Sequence, residues 1–210
     1  MDWTLYVITD DRLSRGRSHL EVAQEAIKGG ASLIQFRDKE MTTRQLVETA
    51  GKIKGLTDKV NIPLIINDRL DVALAVDADG VHVGQADMPA GLARKLIGPH
   101  KILGVSASTV EEALQAEREG ADYVSASPVF TTPTKPDAPP PTGLEGLRAI
   151  VNAVNLPVIA IGGINEENVT EVMEAGAQGV AVISAVVSAP DIAAAARHLR
   201  ETIEAARKGV

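Results

Sequence analysis

A regular alternation of short apolar runs with amphipathic segments constrains this chain more than any other feature. Each apolar run, rich in Val, Ile and Leu, is followed by a polar or glycine residue and then by a helical period. Strands of near-continuous apolar character that alternate with helices predict a parallel sheet covered by helices. The predicted strands span residues 5–9, 32–36, 63–67, 80–84, 102–106, 123–127, 157–161 and 179–183.

The number of strand–helix units separates two parallel-sheet architectures. Eight units are the number that closes a (β/α)8 TIM barrel, and 210 residues lie near the lower size limit of that fold. An open doubly wound sheet has the same local pattern, but the chain lacks a glycine fingerprint after its first strand. No linker or shift in composition divides the sequence. We therefore predict one α/β domain, a single TIM barrel over residues 1–210.

Composition argues against several classes of function. The net charge is −7 and aromatic residues make up 2%, so the chain lacks the basic stripe and stacking platforms of a nucleic-acid-binding protein. The absence of cysteine excludes disulfides, a thiol nucleophile and a cysteine metal site. No apolar stretch is long enough for a membrane span, and no signal peptide is evident. We expect a cytoplasmic protein that acts on small molecules, and homo-oligomerisation stays open.

Polar side chains follow nearly every predicted strand. Because the C-terminal ends of barrel strands form the active-site face, these residues are expected to converge on one rim. Lys and Arg neutralise phosphate oxygens, and one or two carboxylates plus substrate phosphates are the usual ligands of Mg²⁺. The rim therefore predicts a poly-anionic substrate, with Mg²⁺ held by Asp68 and Asp87. The rim residues are Asp10, Asp11, Gln35, Arg37, Asp38, Lys39, Asn67, Asp68, Gln85, Asp87, Ser106, Ser108, Ser127, Thr132, Thr134, Lys135, Gly162, Gly163 and Ser184.

Each of these residues also has a structural interpretation. Asp68, Asp71 and Asp87 are well suited to cap the helices that follow them. Gly162-Gly163 is either a tight strand-to-helix turn or part of a phosphate-binding cup. His82 lies inside a predicted strand, which favours a packed histidine over a base. What favours the functional interpretation is the convergence of so many anion-binding groups on one rim.

Eight longer motifs carry a more specific signal: "LYVITD", "QFRDK", "NDRLDVALAVDADGVHVGQADMP", "GVSAST", "TTPTK", "GLEGLRAI", "VIAIGGIN" and "GVAVISAV". In order and spacing, along nearly the whole chain, they resemble the thiamin-phosphate synthase family. The resemblance implies the coupling of 4-amino-2-methyl-5-(diphosphooxymethyl)pyrimidine to a thiazole phosphate, which gives thiamin phosphate and pyrophosphate. The chain departs from the family pattern at Ser125 and Ser127, where glycines are frequent, and at Phe36, where Leu or Met is common.

The resemblance also implies roles for individual residues. The magnesium ligands are Asp68 and Asp87, and the expected catalytic residues are Lys135, Arg37 and Ser106. The pyrimidine-pyrophosphate contacts are Gln35, Phe36, Arg37, Asp38, Lys39, Asn67, Ser106 and Lys135. The thiazole-phosphate contacts are Thr132, Pro133, Thr134, Gly163, Ile183 and Ser184.

The implied chemistry is an alkyl transfer in which pyrophosphate leaves before the thiazole nitrogen attacks. Such a step needs stabilisation of the leaving group's charge and no nucleophilic side chain. The proline-rich segment "TTPTKPDAPPPTG" is too long for a tight turn, and long loops in compact domains are often lids. We expect residues 131–142 to close over the substrates and to bring Lys135 to the pyrophosphate.

Three other functions share parts of this pattern. A thiazole tautomerase of similar sequence lacks the pyrophosphate-binding set. The residues that argue against it are Lys39, Asn67, Asp68, Asp87 and Lys135. A sugar-phosphate isomerase or epimerase barrel would share the glycine cup but would need a paired acid and base, which the sequence does not reveal. A regulatory module without catalysis would have little need for two rim carboxylates beside three rim cations.

Overall fold

The computed structural model describes residues 1–132, 134 and 139–208. Eight parallel strands pair in chain order, and the eighth pairs with the first to close a barrel. The predicted fold class, a (β/α)8 TIM barrel, is confirmed. The strands are β1 (Leu5–Ile8), β2 (Leu33–Phe36), β3 (Leu64–Asn67), β4 (Gly80–Val83), β5 (Ile102–Ala107), β6 (Tyr123–Ala126), β7 (Val158–Ile161) and β8 (Gly179–Val182). Each predicted strand agrees with the observed one to within one residue at either end.

Helices follow the strands and form the outer layer. Two of the early helices begin with a capping box, in which Ser18 with Glu21 and Thr42 with Gln45 satisfy the first free N–H groups. The helices are α1 (His19–Lys28), α2 (Thr43–Thr57), α3 (Leu70–Ala75), α4 (Ala90–Ile97), α5 (Val110–Arg118), α6 (Gly143–Ala153), α7 (Val169–Glu174), α8 (Ser184–Val187) and α9 (Ile192–Lys208). Within the described ranges, none of them combines the length and apolar character that a membrane crossing requires.

The core has two layers because successive strand residues point to opposite faces of the sheet. The outward side chains pack against the helices in one large cluster. The inward ones form a smaller cluster inside the barrel, built from Tyr6, Ile8, Leu33, Ile65, Tyr123, Ile159 and Ala181. The chain has only five aromatic residues, and the rings of Trp3, Tyr6 and Tyr123 meet in or under this interior. Trp3 and Tyr123 are tilted to each other with centroids 4.9 Å apart, and Tyr6 meets Tyr123 edge-on.

The loop after β6 continues along the end of β7 and then returns to its own start. Backbone N–H groups of Val129 and Phe130 donate to Ile161 and Gly162. Eleven residues after Thr131, the N–H of Thr142 donates to Pro128 at 2.8 Å. The chain therefore leaves the barrel at Thr131 and returns beside the same point at Thr142, which fixes both ends of the proline-rich segment.

Gly104 on β5 generates a test of barrel packing. A Cβ atom at this position would lie 2.1 Å from the ring of the fully buried Tyr123. We expect Gly104→Ala to lower the free energy of unfolding by about 1–3 kcal/mol, as overpacking of a core does. Gly55→Ala in α2 is the matched control, since a Cβ there meets no atom within 4 Å and Ala favours the helix by ~1 kcal/mol. Denaturant unfolding that showed both variants shifting in the same direction would contradict this account.

Candidate active site

A cleft opens at the C-terminal ends of the strands and contains most of the residues predicted from the sequence. Its lining includes predicted residues from strands or loops all around the barrel, and Ser125 and Ser127 also lie in it. Pro133 and Lys135 lie outside the described residues. The predicted rim or contact residues that are not part of the lining are Asp10, Asp11, Phe36, Asp38, Gln85 and Ser108. Those that line the cleft are Gln35, Arg37, Lys39, Asn67, Asp68, Asp87, Ser106, Thr132, Thr134, Gly163, Ile183 and Ser184.

Two carboxylates and a lysine meet on one side of the cleft. Asp68 follows β3, Asp87 follows β4, and Nζ of Lys39 lies 2.5 Å from Oδ2 of Asp68. The amide nitrogen of Asn67 donates to the same oxygen at 2.7 Å. Burial and the neighbouring Asp68 carboxylate together raise the pKa of Asp87. Two acids this close to each other form a site of high negative charge, and the lysine neutralises part of it.

Neither of these carboxylates caps a helix, so the capping interpretation is wrong for both. Helix α3 begins after Arg69 and helix α4 after Pro89, in each case without a capping side chain. Asp87 instead accepts the N–H of Gly84 at 2.8 Å within its own loop. Asp68 has a φ of 58°, a left-handed conformation that is costly for residues with a side chain and that clusters at functional sites. The backbone is thus shaped to present these acids at the rim.

The side chains of Phe36 and Asp38 pack against other parts of the protein. Their neighbours in the motif, Gln35, Arg37 and Lys39, line the cleft instead. Gln35 points into the barrel, so Phe36 points outward, where its ring lies 4.8 Å from that of His19 in α1. The Asp38 carboxylate binds His19 Nε2 at 3.0 Å and accepts the N–H groups of Glu40 and Met41. Burial opposes ionisation of Asp38, but these hydrogen bonds outweigh it and lower its pKa. The side chains of Phe36 and Asp38 thus do not line the cleft, and Asp38 holds the loop between Arg37 and Lys39. The predicted contact of these two residues with substrate stays a prediction.

The opposite side of the cleft is lined by glycine backbone. Gly162 and Gly163 have φ values of 104° and 66°, which only glycine adopts at low cost. A Cβ atom at Gly162 would lie 2.5 Å from Cβ of Pro128, and one at Gly163 would lie 2.7 Å from the carbonyl oxygen of Thr131. These glycines therefore allow the β6 and β7 loops to pack backbone against backbone. Ser184 lies next to them and begins α8.

A hydrogen-bonded chain of five side chains forms the floor of the cleft, and the sequence analysis did not find it. Gln35 donates to the hydroxyl of Tyr6 at 2.7 Å, and this hydroxyl lies 3.0 Å from that of Tyr123. His82 binds the Tyr123 hydroxyl at 2.8 Å and Ser106 at 2.9 Å. Burial raises the pKa of both tyrosines well above its ordinary value, so both stay protonated. Strand alternation was the signal that would have placed all five inside the barrel.

The carboxylates of Asp68 and Asp87 fit a metal ion only if other ligands complete its coordination. Among the described residues, no group of three or more His, Asp or Glu side chains is arranged to hold an ion. Two carboxylates fit Mg²⁺, which is commonly bound by one or two carboxylates with the remaining ligands from water and substrate phosphates. The geometry therefore suits a divalent cation that shares its coordination sphere with a bound phosphate group.

The close pair of acids predicts a gain in stability for Asp87→Asn. Asn keeps the acceptor for the Gly84 N–H but removes the charge. Because the folded-state pKa of Asp87 is raised, its ionised form opposes folding at neutral pH, and this cost disappears as pH falls through that pKa. In EDTA, we expect the variant to melt at a higher temperature than the parent at pH 7 and at the same temperature in acid.

Asp71→Asn provides a control of opposite sign. The hydrogen bond and charge of Arg69 lower the pKa of Asp71, so its ionised form stabilises the folded chain above the ordinary aspartate range and loses that effect in acid. This variant should therefore melt earlier than the parent at pH 7. A lower melting temperature for Asp87→Asn at pH 7 would contradict the assignment of mutual repulsion.

Several known proteins are similar to this chain along nearly its whole length. A thiamine-phosphate synthase from Chloroflexus aurantiacus is 60% identical over 203 residues, which cover 97% of this chain and 94% of the relative. One from Moorella thermoacetica is 55% identical over 205 residues, with 98% of each chain covered. The solved structure of a thiamine phosphate pyrophosphorylase from Pyrococcus furiosus has a TM-score of 0.91 at 47% identity and covers 98% of this chain and 97% of its own.

A more distant likeness concerns the fold alone. The structure of a 3-hexulose-6-phosphate synthase matches with a TM-score of 0.71 at 20% identity and covers 95% of this chain and 99% of its own. The sequence profile of the family described as thiamine monophosphate synthase (TMP-TENI) matches residues 5–186. With that match and relatives above 50% identity along nearly their whole length, the chain belongs to the thiamine monophosphate synthase family.

Proposed function

We propose that this chain couples 4-amino-2-methyl-5-(diphosphooxymethyl)pyrimidine to a thiazole phosphate and releases thiamine phosphate and pyrophosphate. The observation that carries the proposal is the arrangement of one cleft. An acidic pair with adjacent cations lies on one side of it, a glycine-lined cup lies on the other, and a hydrogen-bonding floor joins them. Two phosphorylated substrates can bind at the two sides with their reacting atoms between them. We take residues 1–210 as one catalytic domain, and a cytoplasmic location stays a prediction.

The side of Asp68 and Asp87 suits the pyrophosphate. Arg37 and Lys39 follow β2 and line the cleft beside the acidic pair. Lys135, which lies outside the described residues, is assigned to the same group by its motif. When bound by Asp68 and Asp87, Mg²⁺ would supply a Lewis acid that neutralises charge on the leaving pyrophosphate. The three side-chain cations add preorganised charge stabilisation at the same place.

The glycine cup suits the phosphate of the thiazole partner. Gly163, Ile183 and Ser184 line it, and Thr132 and Thr134 approach from the β6 loop. Pro133, which is assigned to the same contact by its motif, lies outside the described residues. Backbone N–H groups at such glycine turns bind phosphate oxygens without competing charges. The predicted closure of residues 131–142 over the substrates depends in part on residues outside the described ranges and stays a prediction.

The proposed reaction is dissociative. The bond between the pyrimidine methylene and the pyrophosphate oxygen breaks first, with its electron pair leaving on the oxygen. The electron-rich aminopyrimidine stabilises the resulting cation, and the thiazole nitrogen then donates its lone pair to form the carbon–nitrogen bond. Gln35 and Ser106 would orient the pyrimidine, because the floor network fixes both side chains. No nucleophilic side chain is needed.

An assay of pyrophosphate release tests the proposal. Release is expected only when both substrates and Mg²⁺ are present, and omission of any one component should abolish it. A thiazole tautomerase would convert its substrate without releasing pyrophosphate, and a sugar-phosphate isomerase would act on neither substrate. Full activity in excess EDTA would contradict the magnesium assignment while leaving the reaction itself in place.

The ion pair between Lys39 and Asp68 predicts competition between the lysine and a metal. Lys39→Met removes the ammonium group from Asp68, so we expect Mn²⁺ to bind the substrate-free chain more tightly, as measured by electron paramagnetic resonance of free Mn²⁺. An exposed ion pair is worth up to ~1 kcal/mol, which corresponds to about fivefold in affinity. Arg37→Met is the matched control, because its guanidinium pairs with Asp10 and not with Asp68. Equal Mn²⁺ affinities for the two variants would show that only net charge matters.

A further inference from the structure

Asp10 lies behind the cleft and pairs with one of its cations. It follows β1, its side chain is 3% exposed, and it is not part of the cleft lining. Its Oδ2 lies 2.5 Å from Nη1 of Arg37, which does line the cleft. Arg12 reaches the same oxygen only at 4.0 Å and is 62% exposed. Arg37 is thus the principal partner of a buried charge.

The other carboxylate oxygen of Asp10 is not satisfied. Oδ1 is buried without a hydrogen-bond partner, and no other side-chain atom in the described residues has this property. Leaving a buried polar atom unpaired costs stability, and stable folds rarely tolerate it. A carboxylate placed only for stability would gain from a partner on each oxygen or from replacement by an apolar residue. A half-satisfied buried acid that pairs with a cleft cation therefore points to a role beyond stability.

Arg37 is held at one end and available at the other. Its side chain is 14% exposed, and its bond to Asp10 uses Nη1. Within the described chain, Nε and Nη2 of Arg37 make no hydrogen bond, so these donors remain for a ligand. Its backbone N–H is also held by Thr9, whose hydroxyl oxygen lies 3.4 Å away. A free arginine has many rotamers and loses their entropy on binding, whereas a fixed one has already lost it.

We propose that Asp10 is a positioning residue, which orients the Arg37 guanidinium towards the pyrophosphate as it leaves. The inference rests on the proposed function, in which Arg37 contacts that group. Two effects of Asp10 have opposite signs. Its negative charge weakens the attraction between Arg37 and pyrophosphate. Its hydrogen bond to Nη1 of Arg37 fixes the direction of the remaining donors, Nε and Nη2. Catalysis depends on charge that is in place before the bond breaks, so the geometric effect dominates.

A double-mutant cycle on the intact chain tests this proposal. Asp10→Asn, Arg37→Met and the double variant are compared by the single-turnover rate of pyrophosphate release with saturating substrates and Mg²⁺. Asp10→Asn should lower the rate about tenfold in the parent and should change it little once Arg37 is absent, because the effect acts through that side chain. The KM for the thiazole phosphate should stay unchanged. Additive losses, or a faster rate in Asp10→Asn, would overturn the proposal.

Controls separate positioning from folding and from the assigned reaction. Asp122→Asn breaks an aspartate–arginine pair of the same 2.5 Å length, with Arg94, at the entry to β6 and away from the cleft, so the rate should not change. Asp10→Ser provides a second variant if the first one fails to fold, and it should show the same dependence on Arg37. If the parent chain itself releases no pyrophosphate, the proposed reaction is wrong. If the Asp10 variants lose the same fraction of the rate with and without Arg37, only the positioning role of Asp10 is wrong.

Discussion

The contact between the hydroxyls of Tyr6 and Tyr123 divides the interior of the barrel into two zones. Below it, apolar side chains and three aromatic rings in contact fill the space and stabilise the closed sheet. Above it, the Tyr6 hydroxyl accepts a hydrogen bond from Gln35, and the Tyr123 hydroxyl is hydrogen-bonded to His82. Both Gln35 and His82 line the cleft. A buried polar network is stable only if its members are satisfied. The same bonds that keep the tyrosines in the core therefore fix the amide and hydroxyl groups that face a ligand.

The two cleft cations that follow β2 are paired with carboxylates before any ligand binds. The two cations of the β2 loop are each held by a carboxylate from another strand end, Arg37 by Asp10 and Lys39 by Asp68. These two pairs differ in exposure, with Asp10 buried and Lys39 half exposed. The buried pair suits a fixed geometry, while the exposed pair costs little to break and can exchange partners. One loop thus carries a rigid cation and an adaptable one, with Asp38 anchored between them.

The strand pattern predicted the fold and most of the residues that line the cleft, because the topology of a closed barrel determines where the strands end. Once eight strands close a barrel, every residue just beyond a strand lies on one rim, which is why Asn67, Asp87 and Ser106 were found. The outward direction of the Phe36 side chain follows from its alternation with Gln35, a signal that the motif-based assignment did not use. The position of Asp38, beyond the strand, depends on His19 from another element, and no periodicity encodes that bond. The pairing of Asp10 with Arg37 is also long-range, across 27 residues of sequence.

The fixed ends of the segment between Thr131 and Thr142 have an evolutionary consequence. The chain leaves and re-enters the barrel through backbone hydrogen bonds of residues 128 to 130 and 142 to 143, with Ile161 and Gly162 as further acceptors. The hydroxyl of Thr142 adds one bond to the carbonyl of Pro128. Loop-closure entropy grows slowly with length, so residues inserted or replaced between these points cost the barrel little. Folding of the barrel therefore sets few requirements on the sequence of this segment, which leaves that sequence to be determined by what the cleft binds. Changes in which partner the cleft accepts can arise there without renewed selection for folding.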